Sequence, residues 1–185
     1  MNNTKFIEKC RKTECFKISP FKDIDFKEFK YKTPQEFFEH FWNIYETFKK
    51  EYKKKYKKGI NNSYNGAAFQ IIMVYLFDRE NIQIDKMDEE VGIKFVKPDF
   101  LINSNNNKTI FISLKVSGRE RWKQAEMEAV KYKAKYPETY CVLLMNHKTE
   151  VESLKKKVPD LDLDEIFYAS SNDLNDLINS IKKEK

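Results

Sequence analysis

Three polar residues have types and positions suited to phosphodiester chemistry: Asp99, Ser113 and Lys115. Residues 109–115 alternate in hydrophobicity, which predicts a strand with Ser113 and Lys115 side by side on one face at its end. Asp99 begins another short apolar run and could reach the same point. An acid and a lysine that meet where strands end can hold a divalent cation and a water molecule against a phosphodiester.

Two of these residues also have ordinary explanations. Asp99 follows Pro98 and could be a turn residue, and Lys115 could be a solvent-exposed residue at a strand end. Ser113, in contrast, is a small polar residue inside an apolar run, and no packing requirement explains it. The combination therefore favours a metal-dependent catalytic centre.

This part of the chain resembles the PD-(D/E)XK nuclease superfamily. Pro98-Asp99 matches the PD element, and fifteen residues separate Asp99 from Lys115. Ser113-Leu114-Lys115 stands in place of (D/E)-X-K. The serine departs from the family pattern, because the usual second acid is missing.

A branch of type II restriction endonucleases carries that acid on the following helix, in a K-x12–13-E arrangement. Here twelve residues separate Lys115 from Glu128. Enzymes of this branch that cut CCGG, CCNGG or CCWGG sites also have an R-(D/E)-R element after the lysine, and Arg119-Glu120-Arg121 resembles it. The resemblance covers roughly residues 61–146, which is less than half of the chain.

The resemblance implies Mg²⁺-dependent cleavage of double-stranded DNA at a short site containing CC/GG. Asp99 and Glu128 would hold the metal, and Lys115 would position or help to deprotonate the attacking water. Ser113 occupies the position of the missing acid. Gln70 corresponds to a glutamate that superfamily members often carry on the first helix. It could accept a hydrogen bond from bound water but has no charge, and a glutamine at the edge of the core or facing water is an equal explanation.

Glu128 has an alternative in the same helix. It could be a plain surface acid, and Glu126 is a neighbouring candidate for the metal ligand. Only Glu128 has the K-x12-E spacing, and only Glu128 shares a helix edge with Arg121 and Gln124.

Arg119 and Arg121 give an argument that does not depend on the resemblance. Cations in the first helical turn oppose the helix dipole by about 0.3–1 kcal/mol each, and a DNA partner would compensate. Arginine can bind guanine and Glu120 could accept a hydrogen bond from cytosine, so this element suits adjacent G·C pairs. Glu120 could instead complete a capping box with Ser117. Predicted DNA contacts are Arg119, Glu120, Arg121, Lys123 and Gln124.

The surrounding elements predict an α/β fold with a mixed central β-sheet flanked by helices, which is restriction-endonuclease-like. Strands at residues 91–96, 100–102 and 109–115 follow one another without a helix between them, which indicates a meander. Further strands are expected at 140–145 and 166–169. Helices are expected from Thr33, whose Pro34 and Glu36 suit a helix start, over 67–79, between Ser117 and Pro137, and at the C-terminal end.

The whole chain fits one domain, residues 1–185, with an N-terminal arm over 1–32 and a catalytic core over 33–185. Hydrophobic residues make up 41% and charged residues 35%, which is typical of a soluble globular protein. No apolar run could span a membrane, and no secretory leader is evident, so a cytoplasmic location is expected.

The net charge of +6 fits an anionic partner without establishing one. Seven lysines lie between Lys49 and Lys58, at the end of a predicted helix. They could simply be a solvated helix terminus, where cations suit the dipole, or they could contact phosphates.

Two other functions remain open at this level. A nuclease of the same superfamily acting in repair or recombination would read DNA structure and would leave Arg119-Glu120-Arg121 without a specificity role. A non-catalytic basic protein would bind DNA without cutting it. For the favoured interpretation, a symmetric DNA site and a small chain predict a homodimer.

Overall fold

The computed structural model describes residues 3–103, 108–116 and 121–184. Two compact units divide the chain, Met1–Ile82 and Gln83–Lys185. In the described part of the chain, no helix combines the length and the apolar character needed to cross a membrane.

The first unit is helical. Its helices are α1 (Thr4–Arg11), α2 (Glu14–Ile18), α3 (Pro34–Tyr56) and α4 (Ser63–Arg79), with a short 3-10 turn at Pro20–Asp23. Both α1 and α2 contact α4. The residues before α3 are therefore packed, and two of them, Phe21 and Phe26, are fully buried.

Helix α3 begins as the sequence predicts. The Thr33 hydroxyl accepts a hydrogen bond from the Glu36 amide at 3.2 Å, and Pro34 opens the helix. Its stripe of large side chains is buried: Phe37, Phe38, Phe41, Trp42 and Tyr45. The helix ends at Tyr56, before Gly59, because Lys57 adopts the left-handed conformation with φ of 57°.

The second unit contains a four-stranded sheet in the order β1-β2-β3-β4. The strands are β1 (Phe100–Asn103), β2 (Thr109–Lys115), β3 (Thr139–Met145) and β4 (Glu165–Tyr168). β1 pairs with β2 antiparallel, and the other two pairings are parallel. The prediction of a mixed central sheet is confirmed.

Three helices accompany this sheet: α5 (Arg121–Lys135), α6 (Lys148–Lys155) and α7 (Asn172–Lys183). One core joins α5 and α6 to a single face of the sheet, where Phe111, Leu143 and Met145 are completely buried. The ring centroids of Phe111 and Tyr132, a residue of α5, are 5.2 Å apart. Helix α7 packs on β4 and also borders Ile110, which belongs to the opposite face because neighbouring strand residues alternate.

The predicted strand at residues 91–96 is wrong. This segment is a loop in which Gly92 has φ of 74° and Phe95 has φ of 64°, values that no β-strand contains. Its apolar ends, Val91 and Val96, are nevertheless buried. The backbone that pairs with the outer edge of β1 belongs to Lys86, through an isolated antiparallel bridge to Leu101.

Candidate active site

The antiparallel pairing of β1 and β2 brings Asp99 to Ser113. Phe100 is paired with Ile112, so the residue before β1 lies beside the residues that end β2. Asp99 Oδ2 accepts a hydrogen bond from the Leu114 amide at 2.7 Å. The Ser113 hydroxyl lies 3.5 Å from the same oxygen. A backbone donor therefore fixes the carboxylate at the end of the strand.

Lys115 turns back along β2 toward this acid. Its Nζ donates a hydrogen bond to Ser113 Oγ at 2.9 Å and lies 3.7 Å from Asp99 Oδ2. The Lys115 side chain is 13% exposed, and Ser113 is buried. Because a buried hydroxyl and a carboxylate both hold the ammonium group, Lys115 is a positioned cation and not a mobile surface lysine.

Glu128 reaches the same region from helix α5. It is 3% exposed, and its Oε1 accepts a hydrogen bond from Gln124 Nε2 at 2.8 Å. The four-residue spacing puts both side chains on one edge of the helix, as the sequence predicts. Gln124 therefore orients the acid in this structure.

These side chains line one open cleft with a volume of about 380 Å³. Asp99, Lys115, Gln124 and Glu128 form one part of its wall. The rest comes from residues that the sequence did not single out: Asp88, Glu90, Phe95 and Lys97. For the two acids the only signal was the acidic stretch at residues 85–90, which by composition alone indicates a solvated loop.

Burial raises the pKa of both acids. For Asp99, the Lys115 charge and the Leu114 amide act in the opposite direction. For Glu128, the Gln124 hydrogen bond and the Lys115 charge oppose the effect of burial, whereas the Asp99 charge raises the pKa further. The Asp88 charge likewise adds to the rise in the pKa of Asp99. A divalent ion at these carboxylates would offset the repulsion between like charges.

The donor set suits Mg²⁺. This ion is commonly bound by one or two carboxylates, with water and substrate phosphate completing its shell. Asp99 and Glu128 could provide two hard oxygen ligands at a cleft large enough for water and a phosphate. Among the described residues, no group of three or more His, Cys, Asp or Glu side chains could by itself hold a metal. A site here would thus depend on water and substrate oxygens.

The remaining predicted site residues are located as follows. Gln70 lies on α4 in the first unit and is half-buried. Arg119 and Glu120, together with the proposed Ser117 cap, are outside the described residues. Arg121 and Lys123 are exposed in the first turn of α5, a turn that contains no acidic residue.

The buried state of Glu128 predicts a pH-dependent stability effect. The pKa of Glu128 is higher in the folded chain than in the unfolded chain. The contribution of Glu128 to folding stability is therefore fully present below the unfolded pKa and is lost as pH rises through the folded pKa. Because glutamine does not ionise, Glu128→Gln avoids this loss of stability at high pH. We therefore expect the variant to melt at a higher temperature than the wild type at pH 8, in metal-free buffer, with the difference disappearing near pH 4.

Glu126→Gln, on the same helix but less buried, is the matched control for this melting experiment. An equal or lower melting temperature for Glu128→Gln at pH 8 would show that Glu128 is stabilised as an anion even without metal.

Comparison with known proteins gives one fold relationship. No protein-family model and no curated protein matches the sequence. Among solved structures, the chain is similar to the restriction endonuclease PspGI in a complex with substrate DNA, with a TM-score of 0.57 and 16% sequence identity. The match covers 99% of this chain and 92% of that chain. The chain therefore has a restriction-endonuclease-like fold.

Proposed function

We propose that this protein is a Mg²⁺-dependent endonuclease that hydrolyses double-stranded DNA at a short CC/GG-containing site, in the manner of a type II restriction enzyme. The observation that carries the proposal is the convergence of Asp99, Lys115 and Glu128 on one cleft. The PD, S-x-K, K-x12-E and R-E-R elements provide independent support from the sequence. The fold similarity to PspGI, a nuclease described with substrate DNA, agrees with it.

In this mechanism each residue has a separate role. Asp99 and Glu128 would hold Mg²⁺, which would supply Lewis-acid stabilisation of the phosphate oxygens. Lys115 positions the attacking water and stabilises the negative charge that develops on the pentavalent phosphorus. Ser113 keeps the Lys115 ammonium in place through their 2.9 Å hydrogen bond. Ser113 is thus a positioning residue and not a metal ligand.

The proposed recognition element is Arg119-Glu120-Arg121. Its last residue, Arg121, begins helix α5, which also carries Glu128. Base contacts made by Arg121 would therefore be connected to the proposed catalytic acid through one helix. Lys123 and Gln124 extend the proposed DNA contacts. The Gln124 amide already donates to Glu128, which suggests that Gln124 connects recognition to the catalytic acid.

A palindromic site and two equivalent cuts suggest a homodimer with one active site for each strand. As part of a restriction-modification system, the enzyme would act in the cytoplasm on incoming DNA.

Digestion of a plasmid tests the function. In Mg²⁺ we expect discrete fragments, and in EDTA we expect no cleavage. A smear or preferential cutting at branched or damaged substrates would favour a structure-specific repair or recombination nuclease. Binding without cleavage in either Mg²⁺ or Mn²⁺ would instead indicate a non-catalytic DNA-binding protein.

Specific and nonspecific DNA contacts should separate by mutation. Arg121→Ala should lower affinity for the cognate duplex by about 1–3 kcal/mol if a bidentate guanine contact is lost, with little effect on a scrambled duplex. Arg119→Ala should behave in the same way. Binding is measured with both duplexes at two salt concentrations.

The control for the arginine variants is the double variant Lys53→Ala/Lys54→Ala, which removes two exposed charges of helix α3. It should weaken binding to both duplexes alike and reduce the salt dependence. If the arginine variants also lose affinity equally for both duplexes, then these arginines are phosphate contacts and the recognition assignment fails.

A further inference from the structure

One residue of the cleft is placed in a way that folding does not explain. Phe95 is 64% exposed, the largest exposed fraction among the large hydrophobic side chains of the described residues. It also has φ of 64°, a left-handed conformation that a bulky residue rarely adopts. An exposed ring stabilises the core little, and a glycine or an asparagine would suit this backbone better. Such strain at a cleft suggests a functional constraint.

The ring stands beside the proposed chemistry. Phe95 lines the same cleft as Asp99, Lys115 and Glu128. The exposed ring is therefore within reach of a substrate that occupies the cleft.

Two lysines flank the ring. Lys94 Nζ lies 4.9 Å from the ring centroid, and Lys131 Nζ lies 5.9 Å from it. Lys131 belongs to helix α5 and is also close enough to the catalytic acid to influence it. Burial raises the pKa of Glu128, and the Lys131 charge is among the weaker effects that lower it. An exposed ring with two ammonium groups close to it, in a cleft that is also lined by four acids, matches a nucleotide and its neighbouring phosphates.

We propose that Phe95, Lys94 and Lys131 form a nucleotide-binding contact of the DNA substrate: the ring packs on the nucleotide beside the scissile phosphate, and the two lysines pair with flanking phosphates. This inference rests on the proposed nuclease function and adds a substrate contact to the same site. It also explains why a strained aromatic residue is kept at an exposed position.

The decisive variant is Phe95→Gly. Glycine suits the positive φ, so the melting temperature should stay equal to that of the wild type or rise, while the ring is lost. Affinity for duplex DNA should fall at least about fivefold, which is the lower end of the range for aromatic–base contacts in single-stranded complexes. Phe95→Trp keeps an aromatic face and should bind within about threefold of the wild type, by the same reasoning. Affinities are measured in the Lys115→Ala background, so that the DNA stays intact in Mg²⁺.

Tyr136→Ala is the matched control. Tyr136 is a second exposed aromatic residue in the same unit, 40% exposed, with Lys135 Nζ 5.3 Å from its ring centroid, and it does not line the cleft. Its loss should leave DNA affinity unchanged. The two lysines should affect the salt dependence of DNA binding. Lys94→Ala and Lys131→Ala should each reduce it by about one counterion, whereas Phe95→Gly should leave it unchanged.

The outcomes separate this inference from the function on which it rests. Cleavage by the wild-type protein, with Phe95→Gly binding DNA as tightly as its parent, would overturn the contact and leave the nuclease assignment intact. If Phe95→Gly melts at a lower temperature and Phe95→Trp loses as much DNA affinity as Phe95→Gly, the ring is structural and the contact is overturned. Absence of both cleavage and DNA binding in the wild-type protein would remove the two proposals together.

Discussion

Lys115→Ala is expected to abolish DNA cleavage while leaving DNA binding nearly unchanged. The Lys115 ammonium is held by Ser113 Oγ at 2.9 Å and lies 3.7 Å from Asp99 Oδ2, within the proposed catalytic site. Removing a positioned group that transfers a proton or stabilises charge costs about 10²–10⁴-fold in rate. Single-turnover cleavage and equilibrium binding of one labelled duplex give the two quantities.

Lys108→Ala is the control for Lys115→Ala. Lys108 lies just before the other end of β2, where its Nζ pairs with Glu184 at 3.4 Å. Its loss should leave the cleavage rate within about threefold of the wild type, since surface ion pairs contribute little. Normal cutting by purified Lys115→Ala in Mg²⁺ would remove the catalytic assignment of this lysine.

Glu128→Ala is expected to be inactive, whereas Glu126→Ala should keep most of its activity. Both acids are on helix α5, but only Glu128 lines the cleft. Without the Glu128 carboxylate, Asp99 would be the single acid among the proposed metal ligands. We expect a loss of at least about 10²-fold in rate, together with a higher Mg²⁺ requirement.

Restoring an acid on strand β2 tests the same assignment. Ser113→Asp in the Glu128→Ala background would return a carboxylate next to Asp99, because Ser113 Oγ lies 3.5 Å from Asp99 Oδ2. Partial recovery of cleavage would support the assignment of Glu128, on helix α5, as the replacement for the acid that the family usually carries at the position of Ser113. An inactive Glu126→Ala beside an active Glu128→Ala would show that the ligand has been assigned to the wrong residue.

The centre of the sheet could be predicted because its pattern is local. Residues 109–115 alternate with the period of a strand, and that period alone puts Ser113 next to Lys115. The absence of a helix between the two runs indicated a meander, in which Asp99, at the start of the preceding apolar run, could reach the end of β2. The hydrogen bonds that join these residues agree with that expectation.

The cleft wall could not be predicted in the same way. Residues 91–96 contain enough valine, isoleucine and phenylalanine for a strand, yet positive φ at Gly92 and Phe95 forces a loop. Nothing in the local composition distinguishes an exposed phenylalanine from a buried one. The positions of Asp88 and Glu90 at the cleft depend on how this loop folds over the sheet edge, which is a tertiary property.

Helix α5 lies between these two cases. Its buried stripe and the four-residue step from Gln124 to Glu128 follow from helical periodicity. The hydrogen bond between them, at 2.8 Å, shows the structural consequence. Periodicity does not predict which way helix α5 runs relative to β2. The prediction that Glu128 lies near Lys115 came from the spacing of the family motif. Gln70, on a helix of the other unit, stays a prediction that only mutation can test.

Sequencing the ends of DNA cut by the purified protein tests the central claim most directly. Genomic DNA is incubated with the wild type and, in parallel, with Asp99→Ala and Lys115→Ala, in Mg²⁺. Our account predicts that the wild-type ends converge on one short CC/GG-containing sequence and that neither variant generates them. Ends scattered over unrelated sequences, or the same ends from Lys115→Ala, would contradict it.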